Sequence, residues 1–407
     1  MTAAPTQSPP QEDRRALFTL LAVVYINMAG FGVILPLLPF YGQSFHVSAA
    51  QVVLLFAAYS FGNFFAEPTW GWVSDRIGRR PVLVITIFGN ALAFLALAYA
   101  HNFWFACAVR MAGGALTGNI STIQGYITDI TPPDRRAQRL GYLGAAFGLG
   151  FITGPWIGGA LANPAMGTEG FRLPFLASMV FCILAGLGVV LFVRESRKHA
   201  HSDAPDPGRL SHLGEAFRHP VISRTILVNA IAVAAFSGIE SIFGLWAAKR
   251  YGWGPMQIGW CFGGIGVTAV LIQGFVTGRL ARRFGEGVVL TGGLALVTLG
   301  MAAQPFTPNW PVSVAIMVVV ATGQSLAFPN VSAMISHATD PNRQGSMLGL
   351  NLAGGALARI VGPLIAGPVY VLLGPSSPFL SGALLMIPGV FFAWRASAAV
   401  RRVRLTA

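Results

Sequence analysis

Four ionisable residues interrupt the long apolar runs of this 407-residue chain: Glu67, Arg110, Glu240 and Arg359. A charge inside hydrocarbon is costly, so such residues pair with one another or face a wet cavity, where they handle protons or ligands. Two carboxyls and two guanidinia point to proton exchange. A carboxyl takes up and releases a proton, while a guanidinium stays charged and responds to the change. A second group lies in a short basic connection, Gly71-Trp-Val-Ser-Asp75-Arg76-Ile-Gly78-Arg79-Arg80-Pro81. Asp75 sits at a helix C-terminus there, where the macrodipole disfavours an anion, so it needs a compensating partner. A third is Gly150-Phe-Ile-Thr-Gly154-Pro155-Trp-Ile-Gly158-Gly159. Its small residues allow close helix approach, and Pro155 removes a backbone donor and kinks its helix.

The elements that position these groups follow from composition. Hydrophobic residues make up 54% of the chain and charged residues 10%. A soluble domain is about 25% charged, so a soluble enzyme and a disordered chain are both excluded. A spanning helix needs about 20 mainly apolar residues. Twelve segments qualify: 16–40, 49–73, 82–100, 103–127, 140–162, 173–193, 221–247, 257–279, 288–304, 311–336, 347–372 and 378–395. The fold class is therefore an all-α membrane protein of twelve transmembrane helices. Residues 1–15 form a polar tail with no cleavage site after a short apolar core, so the first segment spans. With both termini on one side, 22 of the 27 Lys and Arg residues fall on that side. Arg172, Lys249 and Arg250 fall on the other, and Arg110 and Arg359 lie within helices. That bias places both termini in the cytoplasm and accounts for the net charge of +13 without nucleic-acid binding. Cys107, Cys182 and Cys261 all lie in helical segments, which excludes a disulfide framework and matches no metal-site spacing.

The chain repeats itself. A slide of 208 lays 131–159 over 339–367 with 12 identities in 29 positions, Gly154-Pro155 falling on Gly362-Pro363. A slide of 207 lays Gly71, Arg76 and Gly78 over Gly278, Arg283 and Gly285. Two pseudo-symmetric six-helix bundles follow, 16–193 and 221–395, joined by a polar linker at 194–220 and ending in a tail at 396–407. Duplicated bundles with a site between them are a transporter architecture.

The 71–81 loop resembles the signature loop of the major facilitator superfamily. That resemblance implies a cytoplasmic gate in which Asp75 docks against the start of helix 11, with Gly71, Arg76, Gly78 and Arg79 in the loop and Asp129 as a partner of Arg79. In the second half Arg282 stands where the first has Asp75, so the gate is expected to be asymmetric. Arg110 followed by Gly113, Gly114 and Gly118 resembles the family's second motif, whose arginine is thought to assist proton transfer. The set Gly150, Gly154, Pro155, Gly158 and Gly159 resembles the motif of proton-coupled antiporters. Gly30-Phe-Gly32-Val-Ile-Leu-Pro36 and Tyr126-Ile-Thr-Asp129-Ile-Thr131 are similar to the drug:proton antiporter group containing the tetracycline-efflux proteins. Two departures stand out: Asn27 replaces the acidic residue usual in helix 1, and 288–304 carries no charge.

At 1.5 Å per residue, Glu67 lies roughly 12 Å, Arg359 20 Å, Arg110 28 Å and Glu240 30 Å from the cytoplasmic end. Two sites for the proton remain open, a Glu67–Arg359 pair bridging the halves and Glu240 alone in the central cavity. Tyr25, Asn27, Phe31, Asn119, Gln124, Phe236, Phe243, Gln324 and Asn330 are the candidate cavity residues. An apolar pocket with few polar anchors suits amphipathic molecules. The expected function is proton-coupled multidrug efflux by alternating access across the bacterial inner membrane. Its partners are a small amphipathic substrate, protons and the lipid bilayer; the protein is a monomer with no cofactor and does no chemistry on its substrate. No nucleotide-binding loop is present to supply ATP drive. A facilitator for a polar metabolite such as a sugar is the alternative within the same fold, and a sensor or channel the alternative outside it.

Overall fold

A computed structural model describes residues 14–132, 135–196, 219–340 and 343–406. Among them, twelve helical spans run back and forth. They are α1 (Arg14–Gln43), α2 (Leu54–Ile77, preceded by the short helix Ala49–Val52), α3 (Arg79–Ala98), α4 (Phe103–Leu116 and Ile120–Ile130), α5 (Arg136–Leu161) and α6 (Arg172–Phe192). The second set is α7 (Pro220–Tyr251), α8 (Pro255–Leu271, Ile272–Thr277 and Gly278–Phe284), α9 (Glu286–Ala303), α10 (Trp310–His337), α11 (Gln344–Leu373) and α12 (Ser377–Thr406). Among the described residues, eleven helices are long and apolar enough to cross a membrane. The fourth span falls short because it is broken, where the sequence pattern predicts one helix over 103–127.

The break has a local cause. Gly113, Gly114 and Gly118 are poor helix formers, and the chain turns at Thr117 and Asn119. The Trp70 indole of α2 donates to the Ala115 carbonyl at 2.6 Å, supplying a donor to a carbonyl at the helix end. Asn119 then ties three helices together: its amide donates to Thr86 on α3 at 3.1 Å, and its oxygen accepts from Asn27 on α1 at 3.4 Å. The repeat-related α10 stays continuous through Pro329. Proline there cannot donate to Ser325 O, and the Thr277 hydroxyl of α8 reaches that carbonyl at 3.1 Å. Thr277 ends a single π-helical turn, a wide turn of the kind frequent at functional sites. The last helix also runs through Thr406, beyond the 395 boundary predicted from hydropathy.

Glycines set how the halves meet. On α5, a side chain at Gly150, Gly154 or Gly158 would collide with the α1 backbone at Tyr25, Ala29 or Val33. On α11, Gly362 stands in the same relation to Ala234 of α7. Between halves, Gly159 lies against Pro255 and Met256 of α8, Gly244 of α7 against Pro39, and Gly367 of α11 against Ala50 and Val53. These contacts lie at the end away from Arg14. At the Arg14 end, which also carries the 71–81 loop, Gly141 and Gly144 of α5 and Gly349 of α11 face open space. Among the described residues, the closest glycine contacts between the halves thus gather towards the end away from Arg14.

Candidate functional site

At the Arg14 end of the first half, Arg79 is the centre of a polar cluster. Its guanidinium lies 3.1 Å from Asp75, 3.4 Å from Asp129 at the end of α4, and 2.8 Å from the Ser74 hydroxyl. Gly125 makes room for it, because a Cβ there would lie 2.5 Å from the guanidinium carbon. Asp75 thus finds its compensating cation inside its own half. Gly71 looks towards Ser121 of α4, and Arg76 stacks on Trp72 at 3.7 Å. Gly78 has a φ of 104°, a left-handed conformation that costs glycine little.

One component of this cluster has no counterpart in the sequence reading. Glu195, at the beginning of the linker, accepts from the backbone N–H of Arg79 at 2.9 Å and of Arg80 at 3.1 Å. Its carboxylate caps the start of α3 and offsets two arginines placed at the positive end of a helix dipole. Ser196 adds a bond to Asp129 at 3.1 Å, and Tyr126 donates to Arg194 O at 2.7 Å. Residues 194–196 therefore fasten onto the 71–81 loop and the end of α4. The signal available beforehand was an acidic residue directly after an apolar segment, beside an arginine-rich loop. The remainder of the predicted linker, 197–218, lies outside the described residues.

Deeper in the first half, Arg110 is buried at 5% exposure. Its Nε donates to Leu55 O at 3.3 Å, and its guanidinium carbon lies 4.3 Å from the Tyr59 ring centroid. The glycine motif explains the approach. A side chain at Gly114 would strike the Tyr59 carbonyl, so only glycine lets α4 bring Arg110 to that ring. A cavity of about 20 Å³ adjoins it, lined by Asn27, Phe31, Tyr59, Asn90 and Thr117 among others. This is room for one water, and Asn27 Oδ1 has no hydrogen-bond partner among the described residues.

The second half arranges its charges differently. Glu240 on α7 is partly buried, and Arg359 lies on α11, the helix packed against α7, with its side chain accessible. The side chain of Glu67, the other candidate partner, lies outside the described residues; its backbone is part of α2.

The candidate cavity residues separate into groups. Tyr25 accepts from Thr153 of α5 at 3.1 Å, and Phe31 stacks between Tyr59 and Phe151. Gln124 is exposed and Phe236 half-buried, while Gln324 is half-buried with its amide nitrogen unpartnered. Phe243 is fully enclosed between Trp246 and Phe262, which makes it core packing and leaves no face open to a cavity. Asn330 is buried too, its amide donating to Leu326 O at 2.7 Å within α10. Pro155 lies in the α1–α5–α8 seam, beside the Trp156–Trp260 aromatic pair.

A family model described as "Major Facilitator Superfamily" matches residues 20–302 and 225–405. The chain belongs to the major facilitator superfamily. It is 30% identical over 373 residues to the tetracycline resistance protein, class C, of Escherichia coli, covering 88% of this chain and 90% of that one. It is 25% identical to the quinolone resistance protein NorA of Staphylococcus aureus, covering 92% and 96%. Its fold is similar to a bacterial homolog of the human lysosomal transporter Spinster, in an inward-facing and occupied conformation. The TM-score is 0.78 at 17% identity, over 96% of this chain and 98% of that one. As a superfamily member, this is a multi-pass membrane transporter and not an enzyme. The twelve-helix, two-bundle architecture and the resemblance to drug:proton antiporters are borne out together.

Proposed function

We propose that this transporter exports small amphipathic, drug-like molecules across the bacterial inner membrane in exchange for protons, working as a monomer with both termini in the cytoplasm. The tetracycline and quinolone resistance proteins among its relatives support a drug-like substrate. Glu240 is the observation that carries proton exchange. It is a partly buried carboxyl, on a helix that meets the other half through Gly244 and Pro39 and packs on α11, which carries the accessible Arg359. Ionised, Glu240 attracts the Arg359 guanidinium towards α7; protonated, it loses that attraction. A proton and the arrangement of α7 against α11 are thereby coupled, as exchange by alternating access requires. Arg79, Asp75 and Asp129, with Gly71, Arg76 and Gly78, form the cytoplasmic gate in this reading. Gly150, Gly154 and Gly158 lock α5 onto α1 within the first half, and Gly159 seats α5 against α8, the seam about which the halves rock in this reading.

The test is uptake of ethidium into everted membrane vesicles driven by an imposed pH gradient. The intact chain should accumulate the dye, and a protonophore should abolish accumulation. Glu240→Gln should lower gradient-driven uptake at least tenfold while leaving downhill dye movement. Uptake that persists with the protonophore would overturn the antiport reading. Loss of coupling in Glu67→Gln but not in Glu240→Gln would move the proton site to α2.

A further inference from the structure

The internal repeat reaches further than its identities. The slide of 207 that lays Gly78 over Gly285 lays Arg79 over Glu286, and the slide of 208 that aligns the following segments lays Asp129 over His337. In space both pairs close. Arg79 and Asp129 approach to 3.4 Å across α3 and α4, and Glu286 and His337 to 3.0 Å across α9 and α10. Each pair joins the first residue of its bundle's third helix to the end of its fourth. Each is preceded by a glycine of positive φ, 104° at Gly78 and 85° at Gly285. The geometry is repeated and the polarity is inverted.

Helix dipoles make the inversion meaningful. An anion is favoured at a helix N-terminus and a cation at a C-terminus. Glu286 in the first turn of α9 and His337 in the last turn of α10 both satisfy this. Arg79 and Asp129 both oppose it, and need Glu195, Ser74 and Ser196 in support. Around Gly285 no atom lies within 4 Å of a built Cβ, whereas at Gly78 the Glu195 carboxylate fills that space. The first pair is buttressed and permanently charged on its basic side. The second stands open to solvent, with histidine, the side chain whose charge ordinarily changes between about pH 5 and 8, on its basic side.

We propose that Glu286 and His337 are a second gate latch, the polarity-reversed counterpart of Arg79 and Asp129, which holds α9 to α10 when the histidine is protonated and makes gate opening respond to cytoplasmic pH. The proposal rests on the gating role given above to the first pair. The other charged groups at this end of the elements packed on α9 and α10 are Arg279, Arg282 and Arg283 of α8, His219 and Arg224 at α7, Asp340 and Arg343 before α11, and Arg395 of α12. The arginines keep their charge throughout, so among the described residues His219 is the competing histidine.

The experiment measures gate opening directly on the full chain in proteoliposomes. Spin labels at Gln138→Cys and Ser346→Cys, in a background lacking Cys107, Cys182 and Cys261, report the separation of the two halves between pH 5.5 and 8.5. The open fraction should change about two- to threefold across that range, the size expected of a solvent-exposed ion pair. His337→Gln and Glu286→Gln should each flatten the response. His337→Lys should hold the low-pH value throughout, and His219→Gln should change nothing. A pH response that survives His337→Gln overturns the latch. Arg79→Gln separates the two readings. If it shifts the separation and the α9–α10 variants do not, the latch alone fails; if neither set has an effect, the gating role of the first pair fails too.

Discussion

The two halves treat a charge within the membrane in opposite ways. Arg110 is enclosed by its own bundle, with one bond to a backbone carbonyl and an aromatic face beneath it. Glu240 and Arg359 belong to one bundle but are only partly withdrawn, and the guanidinium stays accessible. A charge satisfied by backbone and ring is fixed in place. A charge facing a titratable partner changes its surroundings whenever a proton arrives. In the proposed function Arg110 would then act as a strut for α2 against α4, and Glu240 with Arg359 as the responsive element.

Substitution should separate the two roles. Arg110→Ala leaves the Leu55 carbonyl without its charged donor and removes a desolvated cation–π contact. Those losses, each about 2 kcal/mol, are partly offset because no guanidinium need then be buried. A net loss of about 2–3 kcal/mol is expected, read as a lower aggregation midpoint in detergent. Arg359→Gln should change that midpoint little, because the side chain is accessible, yet lower gradient-driven dye uptake several-fold. The opposite assignment, a destabilised Arg359 variant and a stable but inactive Arg110 variant, would break the comparison.

Much of this was legible in the sequence, and what was not has physical reasons. Twelve apolar segments, the loop arginines and the glycine motifs are local patterns. Hydropathy fixes them because lipid demands an apolar span and the backbone demands a helix. The interruption of α4 was not legible: Gly113, Gly114 and Gly118 weaken the helix without fixing where it breaks, and the partners that hold the break, Trp70 and Thr86, come from other helices. Arg359 was the hardest case. Depth along the helices lets it meet either Glu67 or Glu240, and depth alone does not choose between them. Phe243 has the composition of a cavity residue but faces the core, a distinction of helix rotation that a spacing argument does not resolve. The α9–α10 pair escaped because a repeat scored by identity passes over positions where the charge has changed sign.

The α5 seam offers a sharper comparison between a packed end and an open one. Gly154→Val would drive a branched side chain into the Ala29 carbonyl and the Gly32 backbone, neither of which can turn aside. Overpacking of this kind costs about 1–3 kcal/mol, and the yield of monodisperse protein should fall accordingly. Substitution at the other end of the same helix should do the reverse.

Gly141 lies near the start of α5 with nothing within 4 Å of the position a Cβ would take. Alanine in a helix interior is favoured over glycine by roughly 0.5–1 kcal/mol, so Gly141→Ala should raise the aggregation midpoint slightly. The same variant tests whether this open end closes during transport. If the first halves of α5 and α11 approach when the cleft shuts, the space beside Gly141 is consumed, and the added methyl should slow dye flux two- to threefold while the protein becomes more stable. Unchanged flux together with the gain in stability would mean that the halves close elsewhere, and that the Gly141 face looks towards lipid throughout the cycle. A fall in both would show that the glycine is packed in some state of the resting protein.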